Sequence, residues 1–245
     1  MKVLVPMAGD SQRFEESGYQ FPKNLVEIEG KPLMERVLRQ LDDLGELVCI
    51  VREEESRSFH TADAIRLLAP ETAVVEVPTL ESGAACTALL AAEEIDPDAS
   101  LLVFNGDQIV CRDLSDIVAD FERRGLDGGV VVFQAVHPRW SYVKTDDEGL
   151  VVEAAEKRPI SMQATAGMYW YRCGSDFVEA LEEMILKDAH VDGRFYICPA
   201  FNEMVLRQAR IGIYEIEPPE YFSLASPQGV ELYAEHLASH RGEAA

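Results

Sequence analysis

The sequence predicts a three-layer α/β fold whose central sheet is mixed but mainly parallel. In the first half of the chain, short apolar runs alternate with stretches of helical periodicity, and such runs are typical of strands buried on both faces. Beyond residue 128 the strands follow one another at close spacing. The chain has 245 residues, 47% of them hydrophobic, enough for one large core. We therefore expect a single domain, 1–245, with halves 1–127 and 128–245.

The first half should contain four strands, at residues 2–7, 47–51, 73–77 and 101–105. Helices are predicted between them. Pro32 suits the first position of a helix, and Leu33, Val37 and Leu41 follow at helical spacing. Further helices are predicted at residues 53–68, 84–94 and 114–123.

The second half should begin with four strands, at residues 129–136, 141–145, 151–155 and 164–171. The acidic, glycine-containing segment 146–149 marks a turn between two of them. Helices are predicted at 176–187 and 197–207, a strand at 211–216 and a last helix after Pro227.

A polar loop, residues 8–22, separates the first strand from the first helix. It contains Gly9, Arg13 and Gly18 and leads directly into Lys23. Glycine allows close approach of the backbone, successive N–H groups of such a loop can point at anionic oxygens, and the two cations add positive charge. Loops of this length usually bind something or are disordered. The loop is therefore predicted to hold a phosphate chain.

A second candidate, Asp107, follows the buried strand that ends near Asn105. Ligands of open α/β sheets bind outside the carboxyl ends of the strands, so an aspartate there can meet one. Phosphoryl and nucleotidyl transfer require a hard cation, and carboxylate oxygen is its preferred ligand. Taken alone, Asp107 has a less favoured alternative as a turn or helix-capping residue.

Three blocks near the amino terminus resemble the G-x-G-x-R, P-K-x-L and G-x-P-M signature of the nucleotidyltransferases, which include the sugar-1-phosphate pyrophosphorylases. The residues at the signature positions are Gly9, Ser11, Arg13; Pro22, Lys23, Leu25; and Gly30, Pro32, Met34. The residues of these blocks are most similar to those of a bacterial capsule and surface-polysaccharide subgroup, which includes cytidylyltransferases of small phosphorylated molecules. The resemblance implies the nucleotide-diphospho-sugar transferase-like (Rossmann-like) fold.

The resemblance also implies roles for individual residues. Arg13, Lys23 and Asp107 would be catalytic, with Mg²⁺ bound to Asp107. The segment 78–87 resembles the base-binding segment, and 156–159 resembles an E-K-P element that binds the acceptor. The predicted nucleotide-binding residues are Met7, Ala8, Gly9, Pro78, Gly83, Ala84, Asn105 and Gly106, and the predicted acceptor-binding residues are Tyr142, Glu156, Lys157, Gly167 and Asn202.

The sequence departs from the family pattern at three positions. Ser11 replaces the second glycine of the loop, and Arg158 separates Lys157 from Pro159. Ser223 stands where an aspartate would supply a second metal ligand. One metal with added water could suffice, another carboxylate could help, or catalysis could be weak. The base is also open, because Pro78 stands near where a glutamine is usual.

Composition limits the partners. The formal net charge of −22 repels nucleic acid and anionic membranes, so neither is expected as a partner. Five cysteines without CxxC spacing argue against a zinc site and a disulfide framework. No apolar run approaches the roughly 20 residues of a membrane span, and the N-terminus reads as a strand. A cytoplasmic protein is expected, and a homo-oligomer is one of the states that the sequence leaves open.

The expected reaction joins a nucleoside monophosphate from an NTP, with CTP favoured on the subgroup resemblance, to a phosphorylated small-molecule acceptor, releasing pyrophosphate. Surface polysaccharide synthesis is the expected context. One alternative is a non-catalytic nucleotide-binding regulatory subunit of the same fold. A glycosyltransferase is less favoured, because those enzymes commonly show a D-x-D pair and here Gln108 and Ile109 follow Asp107.

Overall fold

The computed structural model of the protein describes residues 1–79 and 82–241. Its strands are β1 (Lys2–Pro6), β2 (Glu27–Ile28), β3 (Lys31–Pro32), β4 (Glu46–Arg52), β5 (Ala73–Val77), β6 (Leu101–Phe104), β7 (Gln108–Val110), β8 (Gly128–Gln134), β9 (Ser141–Thr145), β10 (Val151–Glu156), β11 (Gln163–Tyr171), β12 (Ile211–Glu215) and β13 (Tyr221–Ser223).

Its α-helices are α1 (Gln12–Glu16), α2 (Leu33–Leu41), α3 (Glu53–Phe59), α4 (Thr61–Leu68), α5 (Ala84–Leu89), α6 (Leu114–Arg123), α7 (Gly174–Leu186), α8 (Phe201–Leu206) and α9 (Pro227–Arg241). Short 3₁₀ helices lie at Lys23–Leu25, Ala92–Glu94, Cys198–Ala200 and Pro218–Glu220. Within residues 1–79 and 82–241, no helix has the length and apolarity to cross a bilayer.

Nine strands form the central sheet, with the order β10-β9-β11-β6-β1-β4-β5 and with β8 and β12 attached through β11. Strand β1 lies between β4 and β6 and is parallel to both. Strand β11 is antiparallel to β6, β8 and β9, and β10 is antiparallel to β9. Hence β10 and β11 run opposite to the other seven strands, and the predicted mixed, mainly parallel sheet is confirmed.

The core has two parts, one on each face of the sheet, because successive side chains of a strand point to opposite faces. In β1, Val3 and Val5 belong to one part and Leu4 to the other. Helices α2, α4 and α6 cover the first face, and α5, α7 and α8 cover the second. The result is the three-layer arrangement predicted from the sequence.

The structure corrects several predicted elements. The helix predicted at 53–68 is divided at His60, whose φ of 55° is left-handed and ends α3 before α4 begins. The loop 8–22 contains the short helix α1, whose Phe14 is buried. Pro32 precedes α2 and pairs with Glu27 in a two-stranded ribbon. Strands β7 and β13, three residues each, were not predicted, since such short segments show no periodicity.

Candidate active site

Lys23 and Asp107 meet in the folded chain although 84 residues separate them. The Lys23 Nζ atom lies 2.6 Å from Asp107 Oδ2. The lysine side chain is only 7% exposed and the aspartate side chain 26%. A pair this enclosed has a fixed geometry, and the more exposed aspartate gives access to it from a cavity described below. The two residues predicted at opposite ends of the nucleotide half therefore form one centre.

Ser11, the departure from the glycine-rich signature, positions Lys23. Its Oγ atom accepts a hydrogen bond from the Lys23 N–H at 2.9 Å and donates to Glu55 Oε1 at 3.3 Å. Ser11 is buried, so both contacts are sheltered from water. The serine thus ties the loop to the start of the 3₁₀ helix that carries the lysine.

Glu55 is a buried carboxylate behind this loop. It is 6% exposed, and its Oε2 atom accepts from Asn24 Nδ2 at 3.1 Å. The same Asn24 amide donates to the Met7 carbonyl at 2.9 Å. Burial raises the pKa of Glu55, while the nearby Arg52 charge and the Asn24 hydrogen bond oppose that shift. Glu55 therefore connects the strand β1 exit, the loop and the lysine segment.

Arg52 completes the support, because its Nε atom donates to the Ala8 carbonyl at 2.8 Å. The backbone carbonyls of Met7 and Ala8, two predicted nucleotide-binding residues, thus accept hydrogen bonds from the Asn24 and Arg52 side chains. Sequence reasoning missed Asn24, Arg52 and Glu55. Glu55 is the last of three consecutive glutamates at the start of α3, and such a run gives no local signal that one of its members is buried.

The loop passes close to the lysine head group. A Cβ atom added at Gly9 would lie 3.1 Å from Lys23 Nζ, so the Gly9 backbone and the ammonium group face the same small space. Arg13 lies on α1 with an exposed side chain. Within residues 1–79 and 82–241, its guanidinium takes part in no hydrogen bond or ion pair. It is available to a ligand.

The segment around Asn105 is fixed by backbone contacts. The Gly106 N–H donates to the Pro6 carbonyl at 3.1 Å, and the Asn105 N–H donates to the Gly167 carbonyl at 3.0 Å. Gly167 has a φ of 63°, and a Cβ there would lie 2.3 Å from Asn105 Nδ2. Only glycine fits that position without displacing the asparagine. Gly167 therefore packs directly against the strand end that leads to Asp107.

Gly83 and Ala84 begin α5 beside Phe195. Gly83 has a φ of 102°, and a Cβ there would lie 2.3 Å from the Phe195 carbonyl oxygen. The Ala85 N–H donates to that same oxygen at 3.1 Å. Pro78 is exposed after β5. Leu80 and Glu81, which belong to the predicted base-binding segment, lie outside the described residues.

A cavity of about 200 Å³ opens at Asp107. Five residues predicted for nucleotide, metal or acceptor binding line it, from four separate parts of the chain: Ala84, Asn105, Asp107, Glu156 and Gly167. Arg139, to which no sequence motif assigns a role, also lines the cavity. It lies in an irregular segment after β8, where an isolated arginine carries no motif.

The predicted acceptor-binding residues have different surroundings. Glu156 lines the cavity and accepts a hydrogen bond from the Ser141 hydroxyl, and burial raises the pKa of Glu156. Lys157 is exposed, and its Nζ atom donates to the Tyr196 hydroxyl at 2.7 Å. Three of the predicted acceptor-binding residues, Tyr142, Lys157 and Asn202, are not among the residues that line the cavity. The buried Tyr142 donates to the His137 carbonyl, and the Asn202 amide makes two hydrogen bonds with the Ala154 backbone.

Ser223 reaches the cavity beside Asp107. Strand β13 pairs with β7, placing Ser223 opposite Gln108, and the Leu224 N–H donates to the Asp107 carbonyl at 2.7 Å. Residue 223, where the family pattern has an aspartate, therefore lies beside Asp107, but its side chain offers a hydroxyl group in place of a second carboxylate.

The donor set suits Mg²⁺ that binds together with a substrate. In the described part of the chain, no three His, Cys, Asp or Glu side chains cluster as a preformed metal site. Mg²⁺ is commonly held by one or two carboxylates, substrate phosphates and water. Asp107, partly exposed in the cavity, can provide the carboxylate oxygen. The residues present therefore fit a magnesium ion shared with a phosphate ligand.

Comparison with known proteins decides the family. The model of the MobA-like NTP transferase domain matches residues 3–188. The chain belongs to this family. The match includes both Lys23 and Asp107, so the pair at the cavity lies within the domain shared by these transferases.

Two curated proteins and one solved structure are similar to this MobA-like chain. The bifunctional protein GlmU of Thermotoga sp. (strain RQ2) is 25% identical over 207 residues, covering 82% of this chain and 44% of GlmU. The UTP–glucose-1-phosphate uridylyltransferase AglF of Haloferax volcanii is 29% identical over 180 residues, covering 70% of this chain and 72% of AglF. The chain thus spans under half the length of GlmU.

The solved structure is a nucleoside-diphosphate-sugar pyrophosphorylase of Vibrio cholerae RC9, with a TM-score of 0.81 and 26% identity. It covers 95% of this chain, and this chain covers 99% of it. The expected nucleotide-diphospho-sugar transferase fold is thereby confirmed.

Proposed function

We propose that the protein is a nucleotidyltransferase that transfers a nucleoside monophosphate from an NTP to a phosphorylated small molecule and releases pyrophosphate. Residues 1–127 would bind the nucleotide and residues 128–245 the acceptor. The observation that carries this proposal is the Lys23–Asp107 pair, enclosed by the Gly9 loop and open to a cavity on the acceptor side. Membership of the MobA-like NTP transferase family supports it.

The chemistry requires positioning and charge more than proton transfer. An oxygen of the acceptor phosphate attacks the α-phosphorus of the NTP, forming one P–O bond as the bond to the β-phosphate oxygen breaks. The acceptor phosphate is already ionised at neutral pH, so no general base is needed. Catalysis then depends on alignment of the two substrates and on charges placed in advance.

Each charged group of the site would have a distinct task. Arg13 and the amides of the loop would hold the departing β and γ phosphates. Lys23 would stabilise the charge that gathers on the α-phosphate oxygens. Asp107 would hold Mg²⁺, which when bound neutralises phosphate charge. Glu156 and Lys157 would contact the acceptor.

The nucleotide and the acceptor are finer proposals. We favour CTP and a small phosphate monoester, a sugar phosphate among the candidates, because the N-terminal signature resembles the surface-polysaccharide subgroup. Capsule or surface-polysaccharide synthesis would be the setting. AglF, by its name a UTP-dependent uridylyltransferase, makes UTP the competing choice.

The test is a reaction matrix. Four nucleoside triphosphates are combined with sugar 1-phosphates, phosphocholine and other phosphate monoesters, and pyrophosphate release is measured with and without Mg²⁺. We expect magnesium-dependent release with one preferred pair. The absence of release from every pair would contradict the proposed activity.

Ser223 favours one other function, a non-catalytic nucleotide-binding subunit, because a carboxylate is missing beside Asp107. Such a subunit would bind an NTP with no magnesium-dependent turnover for any acceptor. Calorimetric titration with NTP, carried out beside the reaction matrix, separates binding without turnover from catalysis.

A further inference from the structure

Arg139 combines access to the cavity with an unused positive charge. Its side chain lines the cavity together with Asp107, Tyr221 and Ser223. Within residues 1–79 and 82–241, no hydrogen bond or ion pair involves its guanidinium group. The two lysines proposed for this site already have partners, since Lys23 contacts Asp107 and Lys157 donates to Tyr196.

The guanidinium of Arg139 is held by stacking. Its Cζ atom lies 4.3 Å from the centroid of the Trp140 ring. That ring is itself fixed by edge contacts with Phe133, at 5.4 Å, and with Tyr221, at 5.6 Å. A cation above an aromatic face is attracted to it, and the planar guanidinium keeps its edge N–H groups for other partners.

The backbone on either side of Arg139 is also anchored. The Arg139 N–H donates to His137 Nδ1 at 3.2 Å, and the His137 carbonyl accepts from Tyr142 Oη at 2.7 Å. The buried Tyr142 therefore fixes the segment that presents the arginine. Tyr142, predicted from the sequence to contact the acceptor, thus has a structural role.

Charge balance indicates what the arginine binds. Two carboxylates, Asp107 and Glu156, line the cavity, and the protein carries a net charge of −22. A phosphate dianion would be repelled from such a cavity unless cations compensate. Arginine matches phosphate oxygens with two parallel N–H groups. Arg139 comes from the second half of the chain, whereas Lys23 and the loop come from the first.

We propose that Arg139 binds the phosphate group of the acceptor, alongside Lys157, and thereby makes the enzyme selective for phosphate monoester dianions. This inference rests on the proposed nucleotidyl transfer. The acceptor phosphate would then lie in the cavity that Arg139 and Asp107 both line.

The test compares Arg139→Gln and Arg139→Lys with the wild type and with Arg123→Gln, an exposed arginine on α6 that pairs with Asp120 away from the cavity. For Arg139→Gln we expect the KM for the acceptor to rise about 10- to 100-fold, from the loss of a charge-assisted contact. The KM for the NTP should change less than about threefold on the same grounds. Arg139→Lys should recover part of the loss, and Arg123→Gln should match the wild type.

A measurement without turnover makes the test independent of the reaction. Inorganic phosphate is titrated into wild type and Arg139→Gln by calorimetry, and we expect weaker binding to the variant. Unchanged phosphate binding and acceptor KM, or a rise confined to the KM for NTP, would overturn the inference. Wild-type protein that releases no pyrophosphate with any substrate pair would contradict the proposed function, while the phosphate titration would still show whether Arg139 binds a phosphate group.

Discussion

The two sides of the cavity are built differently. On the nucleotide side, the groups that present Lys23 and the loop are buried and bonded to one another through Ser11, Asn24 and Glu55. On the acceptor side, Arg139 and Lys157 are exposed and are fixed mainly by aromatic rings. All NTPs carry the same triphosphate, so the protein groups that contact it can be fixed before it binds. Acceptors differ from one another, so the groups that contact them depend on the acceptor. We therefore propose that the triphosphate is bound by groups fixed through buried hydrogen bonds, and the acceptor by exposed cations that stack on aromatic rings.

The largest effect is expected at the most preorganised group. Lys23→Ala should lower the rate on the order of 10²–10³, by analogy with the removal of one oxyanion donor. Pyrophosphate release under saturating substrates measures it. The matched control is Lys31→Ala, a partly exposed lysine of the same signature that pairs with Glu35. Equal rates for Lys23→Ala and the control would show that the enclosed lysine has no role in turnover.

Gly83→Ala should be strongly destabilising. The new Cβ would meet the Phe195 carbonyl oxygen at 2.3 Å in a backbone with a φ of 102°. We expect the free energy of unfolding to fall by about 3 kcal/mol, and by only about 1 kcal/mol for Gly125→Ala, where φ is also positive but the space is open. Urea denaturation measures both. Equal losses would mean that the contact of Gly83 with Phe195 has no energetic weight.

Glu55→Ala breaks the network behind the loop. The change leaves Ser11 and Asn24 buried without one partner, which should lower the free energy of unfolding by about 1–3 kcal/mol. The KM for NTP should rise more than the KM for the acceptor, because the network supports only the nucleotide side. Steady-state kinetics with each substrate varied in turn would detect this. Equal rises in both KM values would contradict the division of the site.

The free energy of unfolding should also depend on pH through the carboxyl group of Glu55. Burial raises the pKa of Glu55 in the folded protein, so its contribution to stability is present below its unfolded pKa and is lost as pH rises through the raised value. Glu55→Gln does not titrate. The stability of wild type relative to this variant should therefore decrease between about pH 4 and about pH 7. Urea unfolding at both pH values tests this, and a relative stability that increases with pH would reverse the assigned direction.

The smallest effect is expected at the metal position. Ser223→Asp adds a carboxylate to the cavity beside Asp107. With NTP present, we expect half-maximal activity at a Mg²⁺ concentration about three- to tenfold lower, because a second hard oxygen ligand would join the first. Ser223→Asn, with no added charge, is the control. An unchanged magnesium requirement would show that the two positions do not share an ion.

Much of the fold was predictable because buried strands and amphipathic helices have their own periodicities. Helix α6 and strand β9 match their predicted bounds. The division at His60 and the ribbon that contains Pro32 were missed, since both depend on contacts that local patterns do not encode. Strands β7 and β13 exist because residues more than a hundred positions apart pair beside the cavity.

For the site, the motifs identified the residues that carry charge but not those that hold them. Lys23 and Asp107 stood in recognisable blocks, and the structure brings them into contact. Glu55 and Arg139 belong to no motif in the sequence. The burial of Glu55 and the stacking of Arg139 arise only in the folded chain, where segments that are distant in the sequence pack together.

The central claim is that Lys23 and Asp107 act on the same triphosphate. Pyrophosphate release by wild type, Lys23→Ala, Asp107→Asn and the double variant tests it most directly, with thermal unfolding to confirm that each variant is folded. We predict a large loss of rate in each single variant and little further loss in the double variant. The effects of substituting groups that act as a unit are not additive. Losses that simply multiply, or full activity in either single variant, would contradict it.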